Sequence, residues 1–413
     1  MPIPALTISL STGTFLTLGV QWTDPTAFVD VSAPPADGRY LTIVQVGDYI
    51  RLNRAYPGGM LLSAFDPQVL ADLASGRSVL VLDLSNEGPG FWASLFESVH
   101  EQLAEHGIAR TSVMMLNQNR LMAEAYRQHF GDGGIVFGYF DVFVKYIAGS
   151  IDEGLSSSLF DTGEELRAYV PFSGTPTHDF LCMNATPRWH RILTYRHLTT
   201  QPFAQAGLLS FHGANPSNPK IQSLEGLVIP PEIVENFGHL VADIDTWMPQ
   251  EPIRFDTDTR MGNELVNSLQ TGAHLDTLYS VVTETDFFDA PIERVTEKAI
   301  KAAGLGHPFI LVGAPRSVSW LQELGFETFA QTFDHSYDRQ SDHVLRMKAI
   351  FREIDRQQML IGRDRVRWIE EVRESSAFNY AHARNGLLRR FAQIVERPLL
   401  HRLERFIAIG ELR

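Results

Sequence analysis

Apolar and polar residues alternate along the first 65 positions: Leu6, Ile8 and Leu10, then Leu41, Ile43, Val44 and Val46, set between turn signals such as Ala33-Pro34-Pro35-Ala36-Asp37-Gly38. This pattern predicts a strand-rich opening. At Ser78 it changes to the near-continuous apolar run SVLVLDLS, which suits a parallel strand buried on both faces. The loop Asn86-Glu87-Gly88-Pro89-Gly90 follows, then Phe91, Leu95, Phe96, Val99 and Leu103 at helical spacing as far as His106-Gly107. TSVMMLNQN and RLMAEAYRQHF repeat strand and helix, so a Rossmann-like layer is predicted.

From Gly149 to Gly174 the chain is richer in Ser, Gly, Asp and Glu and poor in periodic apolar residues, which places a domain linker near it. DFLCMN then reads as a short buried strand, and Thr186-Pro187-Arg188-Trp189-His190-Arg191 as a helix start with two arginines three apart on one face. TLYSVVTET, ERVTEKAIKAAGLG, HPFILVG, SVSWLQELGF and ETF alternate strand and helix again. Beyond Ser341 the pattern is helical, with a break expected near Arg397-Pro398. The expected architecture is α/β: Rossmann-like domains over residues 1–165 and 166–345 facing a cleft, and helices over 346–413 packing on or between them.

A chain of 413 residues, 44% hydrophobic, exceeds what one core usually organises and supports two domains. No stretch reaches the roughly 18 to 20 apolar residues that span a bilayer, and MPIPALTISL lacks a basic signal region. The expectation is a cytoplasmic protein with no membrane insertion. Its single cysteine, Cys182, excludes an internal disulfide or a zinc site of several thiolates and reads as core. Net charge is −14, which disfavours nonspecific nucleic-acid binding, yet Arg339 to Arg413 carry 16 Lys+Arg against 10 Asp+Glu. That basic stretch is either a solvated helical face or a surface for an anionic acceptor.

Chemistry concentrates between Val281 and Gly313, because ligands of open α/β sheets collect where strands end and helices begin. A strand ends at Thr283-Glu284-Thr285, a loop runs from Asp286 to Ile292, and a helix is expected from about Glu293 with Thr296, Glu297 and Lys298 in its early turns. A carboxylate there can accept ribose hydroxyls, and a neighbouring lysine can reach a diphosphate. His307, before Pro308, either ends the helix or contacts the donor. Two Asp-Xaa-Asp strings, Asp243-Ile244-Asp245 and Asp256-Thr257-Asp258, have a spacing that can hold a metal with a diphosphate.

Thr296-Glu297-Lys298, preceded by a strand ending in Glu284 and followed by a Pro-Phe-Ile strand, resembles the donor-binding region of fucosyltransferase-like GT-B glycosyltransferases. Leu181-Cys182-Met183-Asn184 with Pro187 to Arg191, and the run LVLDLSNEG, are similar to segments of glycosyltransferases in phage and bacterial genomes. The resemblance implies Glu297 on the nucleotide ribose, and Lys298 with Arg188 or Arg191 on the diphosphate. It implies a catalytic base in the first domain, for which Glu87 is the candidate and Asp83 the alternative. It also implies inverting, metal-independent transfer with a nucleoside-diphosphate sugar as co-substrate and no further cofactor. Ala290 to Val295 stands where the family has a tyrosine-rich lead, which leaves the sugar open. The acceptor stays open among saccharide, protein and modified DNA base. Rival readings are a nucleotide-sugar epimerase or hydrolase on the same plan, or a non-catalytic sugar-nucleotide or glycan-binding protein.

Overall fold

The computed structural model describes residues 2–9, 27–46, 62, 65–86, 88–153, 168–184, 187–211, 229–247, 269–287 and 291–412. They build an α/β protein with two sheets of parallel strands. Two compact units share the chain: Met1–Tyr146, Ala290–Arg294 and Leu388–Arg413 form the first, and Ile147–Asp289 with Val295–Leu387 form the second. Where the sequence pattern suggested three consecutive blocks, the backbone changes unit inside the helix Val142–Glu153, returns for one short segment, and returns again at its end. Local patterning reports which element forms, not which sheet it joins.

The first unit's sheet runs in the order β2-β1-β3-β4-β5-β6. Its strands are β1 (Ile3–Ser9), β2 (Phe28–Asp30), β3 (Tyr40–Gln45), β4 (Ser78–Leu84), β5 (Val113–Asn117) and β6 (Val136–Tyr139). The strand-rich opening therefore belongs to the same sheet as the apolar run at Ser78, with Leu41 of β3 paired to Val79 of β4. Every position of β4 is buried, which is why its sequence does not alternate. Leu80, Leu82 and Leu84 pack with Val113, Met115 and the Phe96, Val99 and Leu103 face of the helix Ala93–Glu105. Each such side chain contributes about 1.5–3 kcal/mol through burial.

The helix Arg397–Ile409 completes this unit. Leu399 lies so close to Gly138 that a Cβ there would sit 2.5 Å from it, and Arg39 donates to the Ile407 carbonyl at 3.3 Å. The break expected at Arg397-Pro398 is a π turn over Ala392–Glu396, one way to accommodate a proline that has no N–H to donate.

In the second unit the order is β10-β9-β7-β8, from β7 (His178–Asn184), β8 (Gly207–Phe211), β9 (Thr277–Thr283) and β10 (Phe309–Val312). Helices Trp189–Thr200, Glu297–Gly304, Ser317–Glu323, His343–Arg363 and Arg365–Asn385 belong with it. ETF is not a strand: Asn379 takes both the N–H and the C=O of Glu327, at 2.8 Å each, and Phe329 has φ 59°, outside the β region. Asp364 divides the helical stretch by capping the second long helix, accepting from Arg367 N at 3.0 Å. Among the described residues no helix is long and apolar enough to cross a membrane.

Candidate functional site

Strand order in the second sheet reverses between β7 and β9, since β8 lies on one side of β7 while β9 and β10 are added on the other. A crevice opens outside the carboxyl ends at such a point, flanked by helix N-termini. Asn184 ends β7 there and Glu284 follows β9. Thr283 Oγ1 donates to Asn184 Oδ1 at 2.6 Å and ties the two strand ends together.

The helices that follow β7 and β9 bring their first turns to these ends. After β7, Arg188 is the N-cap of Trp189–Thr200. Arg188 Nη1 donates to the Thr285 carbonyl at 2.6 Å, while His190 Nε2 and Arg191 Nη2 donate to that of Glu284 at 2.9 and 3.0 Å. After β9, the helix starts at Glu297 rather than near Glu293. Glu284 sets this start, because its carboxylate accepts from Thr296 N at 3.0 Å and Thr296 Oγ1 at 2.5 Å. Thr296 Oγ1 in turn caps Lys298 N. Gly313, after β10, leaves room for Glu284: a Cβ would stand 3.2 Å from its Cβ and Cγ.

Charge is dense here and mostly buried. Arg191 lies below the surface, and burial, with Arg188 beside it, pushes its guanidinium down to about 10 against the pull of Glu284, Glu297 and Asp286. Arg188 and Lys298 are only half-buried. Burial alone would raise Glu297, but the charges of Lys298 and Lys301 and the Lys298 hydrogen bond at 2.6 Å bring it to about 2. A carboxylate held below its ordinary 4.5 stabilises the fold fully above that pH and loses its contribution as the pH falls toward 2. Glu297→Gln is therefore expected to flatten the fall in melting temperature between those two values. An unchanged slope would exclude Glu297 from acid unfolding.

Sequence reasoning reads His190 as a structural histidine and passes over its neighbours Phe287 and Arg346. His190 stacks on Phe287 with centroids 5.5 Å apart, and burial followed by the charge of Arg191 keeps its imidazole neutral. The Arg346 guanidinium lies 4.5 Å over the same ring and donates to the Phe287 carbonyl. No local pattern could have linked Arg346 to a loop 59 residues earlier.

His307 does not join this group. It lies at the amino end of β9, where Nε2 donates to the Thr277 carbonyl at 3.0 Å and Nδ1 is 2.8 Å from Ser280 Oγ. Burial, with His274 nearby, lowers it to about 3. The reason is topological: a loop leading from helix to parallel strand returns to the opposite end of the sheet from the loops that leave strands.

Glu87 lies outside the described residues, as do Asp256 and Asp258. Asp83 is buried in β4, its Oδ1 accepting from Ser85 N at 3.0 Å. At the neighbouring strand ends of the first unit, Gln118 donates to Asp141 at 3.1 Å and accepts from Arg294 at 3.2 Å, and Glu293 pairs with Arg120 at 2.5 Å. Glu293 and Arg294, expected on a helix, thus serve the first unit from an extended segment. Asp243 has φ 54° and precedes the short helix Ile244–Trp247. Among the described residues no group of three or more His, Cys, Asp or Glu side chains could hold a metal ion. Cys182 is buried, its thiol pushed up to about 12 by burial, which makes it a core residue. Comparison with protein-family models, curated proteins and solved structures finds no match to this chain.

Proposed function

We propose that the strand ends of the second sheet bind a nucleoside-diphosphate sugar, and that the protein is a glycosyltransferase of the GT-B type. One observation carries this reading: Arg188, Arg191, Glu297 and Lys298 gather at the β7/β9 reversal beside the N-terminus of the helix Glu297–Gly304. Half-buried Arg188 and Lys298 take the diphosphate, at the positive end of the helix Glu297–Gly304. Buried Arg191 and Glu284 hold the frame, and Glu297 accepts the ribose hydroxyls.

Lys298 is on Glu297 at 2.6 Å and turns to the phosphate when the donor enters. These cations stand where a divalent metal would otherwise balance the phosphates. The role of base is assigned to a carboxylate, Glu87 by preference and Asp83 otherwise, which takes the proton of an acceptor hydroxyl as its oxygen attacks the anomeric carbon. The bond to the diphosphate breaks, and the leaving oxygen keeps the electron pair. The stereochemistry assigned is inversion; the acceptor is a saccharide, a protein or a modified DNA base.

A thermal-shift series with nucleoside diphosphates in the presence of a chelator tests the donor site. Stabilisation of roughly 2.7 kcal/mol is expected at a 100-fold excess over the dissociation constant. Strict dependence on magnesium or manganese would refute the role given to Arg188 and Lys298, and no shift with any base would refute the site.

A further inference from the structure

The second unit carries another cavity, of about 620 Å³, within the roughly 300–1,000 Å³ range of small-molecule sites. It lies among the far end of the helix Trp189–Thr200, the helix Pro231–Val241 and the first half of His343–Arg363. Among the described residues no Asp or Glu lines it, although the chain as a whole has net charge −14. The ionisable groups on its wall are Lys348, Arg352, His197 and His239, with Tyr337.

Lys348 and Arg352 stand four residues apart on one helix, a like-charge spacing that weakens the helix. Among the described residues no carboxylate forms an ion pair with either one or with His239. Lys348 is held by a neutral partner, Asn236 Oδ1, at 2.7 Å. Asp355, beside His197, is held by that imidazole at 3.0 Å. Beneath the charges lies an aromatic floor, Phe237 and Phe351 in edge contact at 5.8 Å, with the His197 ring stacked on Phe351 at 4.1 Å.

We infer that this cavity is a second ligand site, independent of the nucleotide reading, for a small organic phosphate. Lys348 and Arg352 take the anion, and an apolar or planar body rests in the cavity against the ring edges of Phe237 and Phe351 that line it. An anion between Lys348 and Arg352 relieves their mutual repulsion. A bare phosphate would leave the rings unused, and a neutral ring would leave the charges unpaired, so the two parts of the ligand are required together.

Phenyl phosphate is a direct probe, titrated calorimetrically into the full chain, with phenol and inorganic phosphate as controls. Lys348→Ala/Arg352→Ala changes two exposed side chains, and an unchanged melting temperature confirms that it folds. The double variant is expected to bind phenyl phosphate at least about tenfold more weakly than the parent, the loss of a charge-assisted contact of about 1.4 kcal/mol or more. Lys298→Ala is expected to leave that binding unchanged, so failure here is distinguishable from failure of the donor site. Three results would overturn the inference: no binding of phenyl phosphate to the parent, equal binding by the double variant, or loss of binding in Lys298→Ala.

Discussion

Lys145→Met is expected to cost the fold about 3–5 kcal/mol, the usual penalty for removing one partner of a buried ion pair. Lys145 Nζ lies 2.9 Å from Glu396 Oε1 with both side chains under 10% exposed, an ion pair short of aligned hydrogen-bond geometry. Burial lowers the lysine, and Glu396 pulls it back up. Methionine fills the space of the stem yet leaves the carboxylate without its cation. Lys145→Met/Glu396→Leu is expected to recover most of the loss, since a packed apolar pair replaces a buried ionic one at little cost. Urea denaturation of the three proteins is the measurement. A single variant within about 1 kcal/mol of the parent would show the pair to be solvated, like an ordinary surface bridge.

Lys298→Ala is expected to weaken nucleoside-diphosphate binding by about 2–5 kcal/mol, the range for losing one partner of a charge-assisted contact in a partly desolvated site. Stability should also fall, because the ammonium stands 2.6 Å from the buried Glu297 carboxylate and keeps it charged, so binding is titrated well below the melting temperature of the variant. Arg191→Met should cost the fold more. The guanidinium is buried and holds the Glu284 carbonyl, so its removal should lower stability and binding together. Calorimetric titration beside a melting curve separates these cases. If Lys298→Ala binds the diphosphate like the parent, the phosphates lie elsewhere.

The sequence pattern was most informative where burial is uniform. The runs of β4 and β9 are apolar because both faces are covered, and both lie where the pattern put them. Arg188, Arg191, Glu284, Glu297 and Lys298 were legible as a group because strand ends and helix starts are adjacent in sequence. His307 was misplaced because its neighbours in sequence sit at the wrong end of the strand. The helix start was read four residues early because the residue that fixes it, Glu284, acts from twelve positions back. Phe287 and Arg346, the partners of His190, were invisible for the same reason: a ring stack and a guanidinium over that ring have no periodicity.

The return of Leu388–Arg413 to the first unit bears on how the protein is made. A ribosome releases the six strands of that unit long before the helix Arg397–Ile409, so Gly138 and Arg39 meet Leu399 and Ile407 only after the second unit has been made. The second unit, though later in the chain, has its last residue at Leu387 and can close first. Domains usually fold in order of synthesis. Here the second unit has all of its residues before the last helix of the first is made, which permits the reverse order.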